Sequence, residues 1–506
     1  MMTPPKQQMS KVRSPGWWAR WLLAVFGAAA VLASGYRVGL QRGAAAVERQ
    51  AAPPPSTLPR LGDAVPAARP NRPNVVLICI DTLRADHLGL YGYSRNTSPR
   101  IDGFAADALV FERAYATAPF TSPSVVSILT GLYPQRHRVR LLWQKLDPQV
   151  VTVADWLKAA NYQTAAVISN LVLSAEGAGL AARFDHYDDA VDEPEPNRPE
   201  MLERKAARTT DAALDWLRNQ REAQRPFFLW VHYIDPHGPY LPPDDAPMRF
   251  THETAHPVNP ESIADYARTG TSTDGNDYVD AYDGEIVYTD REVGRLLDGL
   301  DDLGLGANAL VILTADHGEF LLEREDLLFG HGFSVDEAVM HVPLIVRGPQ
   351  LAAGRTADPV SVADITPSIL QAAGLSIPPG LDGRSLLTRP LPVRPVYGEG
   401  PDPGGSGGLE RCFYYPDHQI VVRHGKTNVP RASWVVRTDR AGMASTRLPA
   451  DPADPAYRAL VEMIRSDPDP GGRPAETHAG APSSRLVAGD ASREALQKLQ
   501  GLGYVK

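Results

Sequence analysis

Short, unbroken runs of apolar residues recur along most of this chain, each bounded by proline, glycine or charge. NVVLICID from Asn74, ALVFERAYA from Ala108, QTAAVISN from Gln163, PFFLWVHY from Pro226, ALVILTAD from Ala309 and VPLIVRGP from Val342 read as strands buried on both faces. Between them lie helical patterns: SPSVVSILT, TVADWLKAA, MLERKAARTTDAALDWLRNQ, YVDAYDGEIVYTDREVGRLLDGL and ITPSILQAA, several opened by proline or closed by glycine. Buried strands alternating with helices predict an α/β fold with a large, mostly parallel sheet flanked by helices. After about Ser385 the rhythm is lost. QIVVRHG and SWVVRTD predict strands of a small C-terminal sheet and EALQKLQGLGY a closing helix, so residues 73–388 form the main domain and 389–506 a small α+β subdomain. The acidic stretch DHYDDAVDEPEPNRPE reads as a solvated surface loop, and ARTGTSTDGND as a mobile loop ahead of a helix.

The N-terminus follows another pattern. Lys6, Lys11, Arg13 and Arg20 precede an uncharged run from Trp21 to Tyr36, with Trp17 and Trp18 just before it. The run is slightly short of the roughly 20 residues of a transmembrane helix, but tryptophans and a snorkelling Arg20 extend it to the interface. It also suits a signal-peptide core with small residues from Ala33 to Gly35. An uncleaved anchor is the favoured reading: residues 1–15 cytoplasmic, 16–36 a single membrane span, 37–72 an Ala/Pro-rich linker. The positive-inside bias then places the remainder extracytoplasmically, in a periplasm or at a cell surface.

Composition narrows the function classes. A chain of 506 residues, 43% hydrophobic, can bury a large core, and a formal net charge of -9 with no basic stripe argues against nucleic-acid binding. Two cysteines, one of them Cys79 inside VVLICI, exclude a disulfide framework.

Candidate chemistry sits at or just beyond strand ends, where an open α/β sheet places its ligands. Asp81 ends the first strand, and Asp316 with His317 ends ALVILTA; an adjacent carboxylate and imidazole can coordinate one divalent metal. Thr121 lies at the start of a helix whose free N–H groups favour an anion, although an N-cap there is equally ordinary. His232 and His237 in LWVHYIDPHGPY, and His331 in LLFGHGFS, are of a type that serves as general acid or metal ligand near neutral pH.

The order and spacing of IDTLRADHLGLYGY, TSPSVVSILTG, PHGPY, TADHGE and GHG, followed by VPLIVRGP, resemble the sulfatase family of the alkaline phosphatase superfamily over roughly residues 73 to 388. The resemblance implies a metal-bound hydroxyl nucleophile acting on an anionic ester. Carried over position by position, Asp81, Thr121, Asp316 and His317 become the ligands of one divalent metal and Thr121 the nucleophile. His237 matches the histidine that binds the ester or protonates the leaving group. His331 occupies the region where many sulfatases have lysine and related phosphotransferases histidine.

Departures from the family pattern redirect the chemistry. Family sulfatases carry C-x-P-S-R or S-x-P-S-R, whose first residue becomes formylglycine; here the segment is T-S-P-S-V, so no formylglycine is expected. Val125 replaces the arginine of that motif, and Arg84, Arg136 and His137 are the cations available to compensate. Arg84 and Arg136, with His232, are accordingly the candidate substrate-binding residues. Thr82 replaces the second aspartate of the usual acidic pair, which favours zinc or manganese over calcium. The expectation is a hydrolase for a phospho(di)ester or sulfate ester. Its alternatives are an envelope phosphotransferase of phosphoethanolamine or glycerophosphate type and a catalytically silent, membrane-tethered binding protein. Neither substrate identity nor oligomeric state is legible.

Overall fold

Each of the six apolar runs forms a strand, and β-sheet register decides where their ends meet. In a computed structural model, which describes residues 57–65, 72–324, 328–349, 351–391, 394–403, 408–425, 429–438 and 445–467, the main sheet contains β1 (Asn74–Ile80), β2 (Leu109–Tyr115), β3 (Gln163–Val167), β4 (His186–Asp188), β5 (Phe227–Tyr233), β6 (Ala309–Ala315), β7 (His341–Arg347), β8 (Gly354–Thr356) and β9 (Val360–Ser361). The expected segments 1–15 and 16–36, most of the linker and the closing helix EALQKLQGLGY lie outside the described residues. Among the described residues, no helix is long and apolar enough to cross a membrane.

The strand order is β8-β2-β7-β6-β1-β5-β3-β4, with β9 also paired to β2. Strands β6, β1, β5, β3 and β4 run parallel. Strand β7 is the exception, antiparallel to both β6 and β2. The chain leaves β6 at the sheet's carboxyl edge and spends residues 316–340 on loops there. Among the described residues of this segment there are a short ladder of Phe320–Leu321 with Phe329–Gly330 and one turn of helix at Glu337–Met340 but no crossover helix, and β7 enters from that same edge. Pro343, which has no N–H to give the ladder, coincides with a shift of register between β7 and β2.

Helices α1 (Pro99–Ala105), α2 (Thr121–Thr130), α3 (Val153–Ala159), α4 (Ala206–Asp215), α5 (Gly275–Asp302) and α6 (Ile365–Ala372) flank the sheet. All residues of α2 are buried, consistent with its small and apolar composition on every side. It stops at Gly131, whose φ of +68° suits glycine and whose Cβ, were there one, would lie 3.3 Å from Thr366 Cγ2 on α6. Helix α4 is shorter than the pattern from Met201 predicts. Leu202–Glu203 instead pairs with Glu193–Pro194, and the Asp235 carboxylate accepts from the Ala206 N–H at 2.8 Å, fixing the helix start.

The C-terminal part is an antiparallel sheet of β10 (Val396–Pro401), β11 (Leu409–Tyr414), β12 (Gln419–His424), β13 (Pro430–Thr438) and β14 (Ser445–Pro449), followed by α7 (Pro455–Ser466). A buried ionic cluster ties it to the rest. Arg140, just after α2, donates to Glu399 of β10 at 2.6 Å and to Asp467, just past α7, at 2.6 Å; Arg411 of β11 also bonds Asp467. Cys79 and Cys412 are both free and buried.

Removing one member of such a cluster strands the others without compensation. Asp467→Ala is expected to cost about 3–5 kcal/mol in urea unfolding, because two buried arginines lose their shared acceptor. A loss below about 1 kcal/mol would show that water reaches the cluster.

Candidate active site

Strands β1 and β6 pair in register up to Ile80 opposite Ala315, so the next residues, Asp81 and Asp316, emerge level with each other at the carboxyl edge. Both are fully buried. Asp316 Oδ1 accepts from the His317 N–H at 2.8 Å, and Asp81 Oδ2 accepts from Asn170 Nδ2 at 2.7 Å. Their remaining oxygens, Asp81 Oδ1 and Asp316 Oδ2, have no hydrogen-bond partner. His317 donates from Nδ1 to the Gly318 carbonyl at 2.9 Å, which turns Nε2 inward as an acceptor, 3.4 Å from Asp81 Oδ1 and 3.7 Å from Asp316 Oδ2. Thr121, the first residue of α2, places Oγ1 3.4 Å from the same Nε2. Four predicted metal ligands therefore converge on one point.

Two orphaned carboxylate oxygens and an imidazole lone pair, all dry, fit a divalent cation and little else. Without one, the electrostatics are unfavourable: burial, and then the neighbouring Asp316, push the Asp81 carboxyl up. Burial works the same way on Asp316, but the His317 and His232 imidazoles outweigh it and hold that carboxyl low.

The backbone between Asp81 and its loop is strained. Thr82, a β-branched residue, adopts φ +54°, held by Tyr282, whose hydroxyl donates to the Thr82 carbonyl at 2.8 Å and accepts from the Arg84 N–H at 3.1 Å. The His237 loop is fixed as firmly. Asp235 caps α4, Thr289 on α5 donates to the Asp235 carbonyl at 3.2 Å, and Glu285 accepts from the Leu241 N–H at 2.8 Å.

His237 and His331 border the metal donors, with ring centroids 5.1 Å apart and His331 4.6 Å from His317. His237 Nδ1 donates to the Gly238 carbonyl at 2.7 Å. His331 Nδ1 lies 2.9 Å from the Tyr266 hydroxyl and 3.1 Å from Glu319. Burial lowers both imidazoles well below the usual histidine range, with His331 and then Arg198 adding to the effect at His237. Burial pushes Glu319 up to about 8.

The two arginines expected to bind substrate are committed elsewhere. Arg84 forks onto Asp86 at 2.8 and 2.9 Å and reaches the Glu319 carbonyl and Glu323, so it clamps the loop after β6. Arg136 binds Asp382, the Gly380 carbonyl and the Thr57 carbonyl. His137 accepts or donates to Ser127 at 2.9 Å inside the core. His232, the third expected substrate contact, sits at the floor beside the metal donors, 3.7 Å from Asp316 Oδ2 and 4.0 Å from Asp81 Oδ2.

The mostly solvated acidic loop also carries a buried ion pair whose cation acts on the His237 and His331 imidazoles. Glu195 and Arg198 are each only 3% exposed, Arg198 forks onto Glu195 at 2.7 and 2.8 Å, and its guanidinium lies 4.8 Å from the Tyr266 ring centroid. Asn170, Tyr266, Arg198 and Glu319 were not singled out from sequence. Asn170 ends the QTAAVISN run and Glu319 follows DHG, positions that mark them as strand-edge polar groups; Tyr266 and Arg198 lie in loops with no periodic signal.

Comparison with known proteins agrees with this geometry. A sequence profile for the family described as Sulfatase matches residues 73–375. Arylsulfatase K of Mus musculus is 28% identical over 356 residues, covering 62% of this chain and 63% of that protein. The ulvan-active sulfatase of Formosa agariphila is 25% identical over 338 residues, covering 63% and 65%. This chain thus spans just under two thirds of the length of these relatives. A phosphonate monoester hydrolase from Silicibacter pomeroyi superposes with a TM-score of 0.60 at 22% identity, covering 78% of this chain and 95% of that one, a likeness of fold.

Because the Asp81 carboxyl is raised, protons compete with the cation for it. Asp81 must be ionised to bind, so affinity is highest on the alkaline side and falls on acidification. Between about pH 8 and about pH 6 the dissociation constant for zinc or manganese, measured by competition with a chelator, is expected to rise by at least about tenfold. A flat profile would remove Asp81 from the ligand set.

Proposed function

The chain belongs to the sulfatase family, and from that premise we propose that it is a metal-dependent hydrolase of an anionic phosphorus ester, with Thr121 as nucleophile. The position of Thr121 carries the reading: its hydroxyl, on the first residue of the helix, lies 3.4 Å from His317 Nε2 among the convergent donors. Asp81, Asp316, His317 and Thr121 would hold the ion, a mixed oxygen and nitrogen set that suits zinc or manganese better than calcium. Bound there, the ion supplies Lewis acidity that eases loss of the threonine proton and offsets charge on the ester.

In this mechanism Thr121 Oγ1 attacks phosphorus and the bond to the leaving alkoxide breaks, giving a phosphothreonine. An anionic ester lying against His237 and His331 favours their protonated forms, so one of these imidazoles delivers a proton to the departing oxygen. Water then attacks phosphorus, the P–Oγ1 bond breaks and Thr121 regains its proton. Gly238, Tyr266 and Glu319 orient the two rings through Nδ1. Arg198 supplies positive charge beside the rings, where Val125 supplies none.

A sulfate ester is the second reading, favoured by the names of the curated relatives, an arylsulfatase and an ulvan-active sulfatase. It leaves a sulfated threonine that water must attack at sulfur, a step that formylglycine avoids by eliminating sulfate from its hemiacetal. The apolar run after Lys6, Lys11, Arg13 and Arg20 supports a membrane-tethered, extracytoplasmic setting for either reading.

Turnover of aryl phosphate, phosphodiester, phosphonate and sulfate esters by the metal-loaded full chain separates the two. A phosphorus ester is expected to lead, Thr121→Ala to lose at least about 1000-fold in kcat with its metal retained, and Thr121→Ser to keep measurable activity. Undiminished turnover in Thr121→Ala would remove the nucleophile, and a clear preference for sulfate would install the second reading.

A further inference from the structure

Below the convergent donors lies a second tier that the mechanism does not use. Side chains alternate along β1, so Cys79 faces the same side as Asp81, one step deeper. Cys79 is paired in register with His232 of the adjacent strand β5, so the two side chains stand next to each other on that face. Both are fully buried. Neither ring nitrogen of His232 has a hydrogen-bond partner, and its separations of 3.7 and 4.0 Å from the aspartates are too long to provide one. Leaving both nitrogens of an imidazole unbonded in a dry interior is costly, and almost every buried histidine avoids it. Asp316 Oδ2 is also without a partner.

One ligand atom each of Cys79, His232 and Asp316 lie within 4.8 Å of one another, as do those of Asp81, Asp316 and His317. The two triads share Asp316. We propose that Cys79, His232 and Asp316 form a second metal site directly beneath the first, bridged to it by Asp316, that takes a thiophilic divalent ion of zinc type. Sulfur, imidazole and carboxylate together select zinc over calcium or magnesium. Binding releases the Cys79 thiol proton and leaves a thiolate on the ion. The lower ion satisfies His232 and draws off part of the Asp316 charge that the upper ion otherwise balances alone.

The full chain, stripped with chelator under reducing conditions, is reloaded with zinc for stoichiometry and with cobalt(II) for spectroscopy. The expected result is two zinc equivalents per chain and a near-ultraviolet thiolate-to-cobalt charge-transfer band. Cys79→Ser is expected to lose the band and one equivalent, while Cys412→Ser, in the C-terminal sheet, keeps both. Zinc-edge X-ray absorption of the unaltered protein, which shows or lacks a sulfur neighbour, decides the matter if Cys79→Ser does not fold. Absence of thiolate signal from the unaltered protein, or a signal that follows Cys412, overturns the inference. These readouts do not involve turnover. A thiolate-bound ion in a protein that cleaves no ester would keep this inference and sink the proposed function; hydrolysis without the thiolate signal would do the reverse.

Discussion

Two carboxylates held level in a dry interior are the constraint on which the rest of this structure depends. Asp81 and Asp316 meet because β1 and β6 are adjacent parallel strands in a register that ends at Ile80 and Ala315. That register is set by hydrophobic packing on both faces, since a slip of one residue would turn every side chain of β1 to the opposite face. The core therefore works against local electrostatics. It places like charges where burial withholds solvation, and a proton on Asp81 or a bound cation, supplemented by imidazoles, relieves the arrangement.

Loops built around such a centre need support that secondary structure does not provide. Residues 316–340 and 232–241 carry His317, Glu319, His331 and His237, yet contain little helix or strand. Buried polar contacts hold them instead: Arg84 on the Glu319 carbonyl, Asp235 on the start of α4, Glu285 on Leu241 and Tyr282 across Thr82. Each is a directed hydrogen bond in a low-dielectric setting, where losing one partner costs more than forming the bond gains. This demand explains the fate of the arginines. Arg84 and Arg136 satisfy carbonyls and carboxylates of neighbouring loops, whereas Arg198 lies over the Tyr266 ring and its charge lowers the His237 and His331 imidazoles.

The sheet and the upper donor set were legible because they follow from periodicity and strand ends. Buried runs such as NVVLICID announce central strands, and a carboxylate immediately after one has a restricted choice of surroundings at the carboxyl edge. Strand direction was less legible: VPLIVRGP reads like the others but runs antiparallel, because direction depends on where the preceding loop leaves the chain. The partners of Arg84 and Arg136 were not legible, because a cation's partners are set by tertiary contacts far off in sequence, Glu323 and Asp382 among them. The acidic loop is solvated along most of its length, as its composition indicates, with two buried exceptions. Its composition is that of a solvated segment, yet Glu195 and Arg198 neutralise each other and can be buried as a pair.

The departures at positions 82 and 125 are best understood as one change. Relative to the sulfatase pattern, Thr82 removes a negative group and Val125 a positive one, so the formal charge of the site is conserved while both groups become neutral. Val125 is buried in apolar packing and Thr82 serves the backbone turn. What remains around the carboxylates is chiefly imidazole: His232, His237, His317 and His331. Burial keeps His237 and His331 deprotonated in the free protein, so they add little fixed charge. In the proposed mechanism a bound cation would govern the aspartates, and the anionic ester together with Arg198 the histidines. In the proposed mechanism a neutral hydroxyl such as Thr121 fits this setting, because its nucleophilic form would be generated only with the cation and the ester both in place.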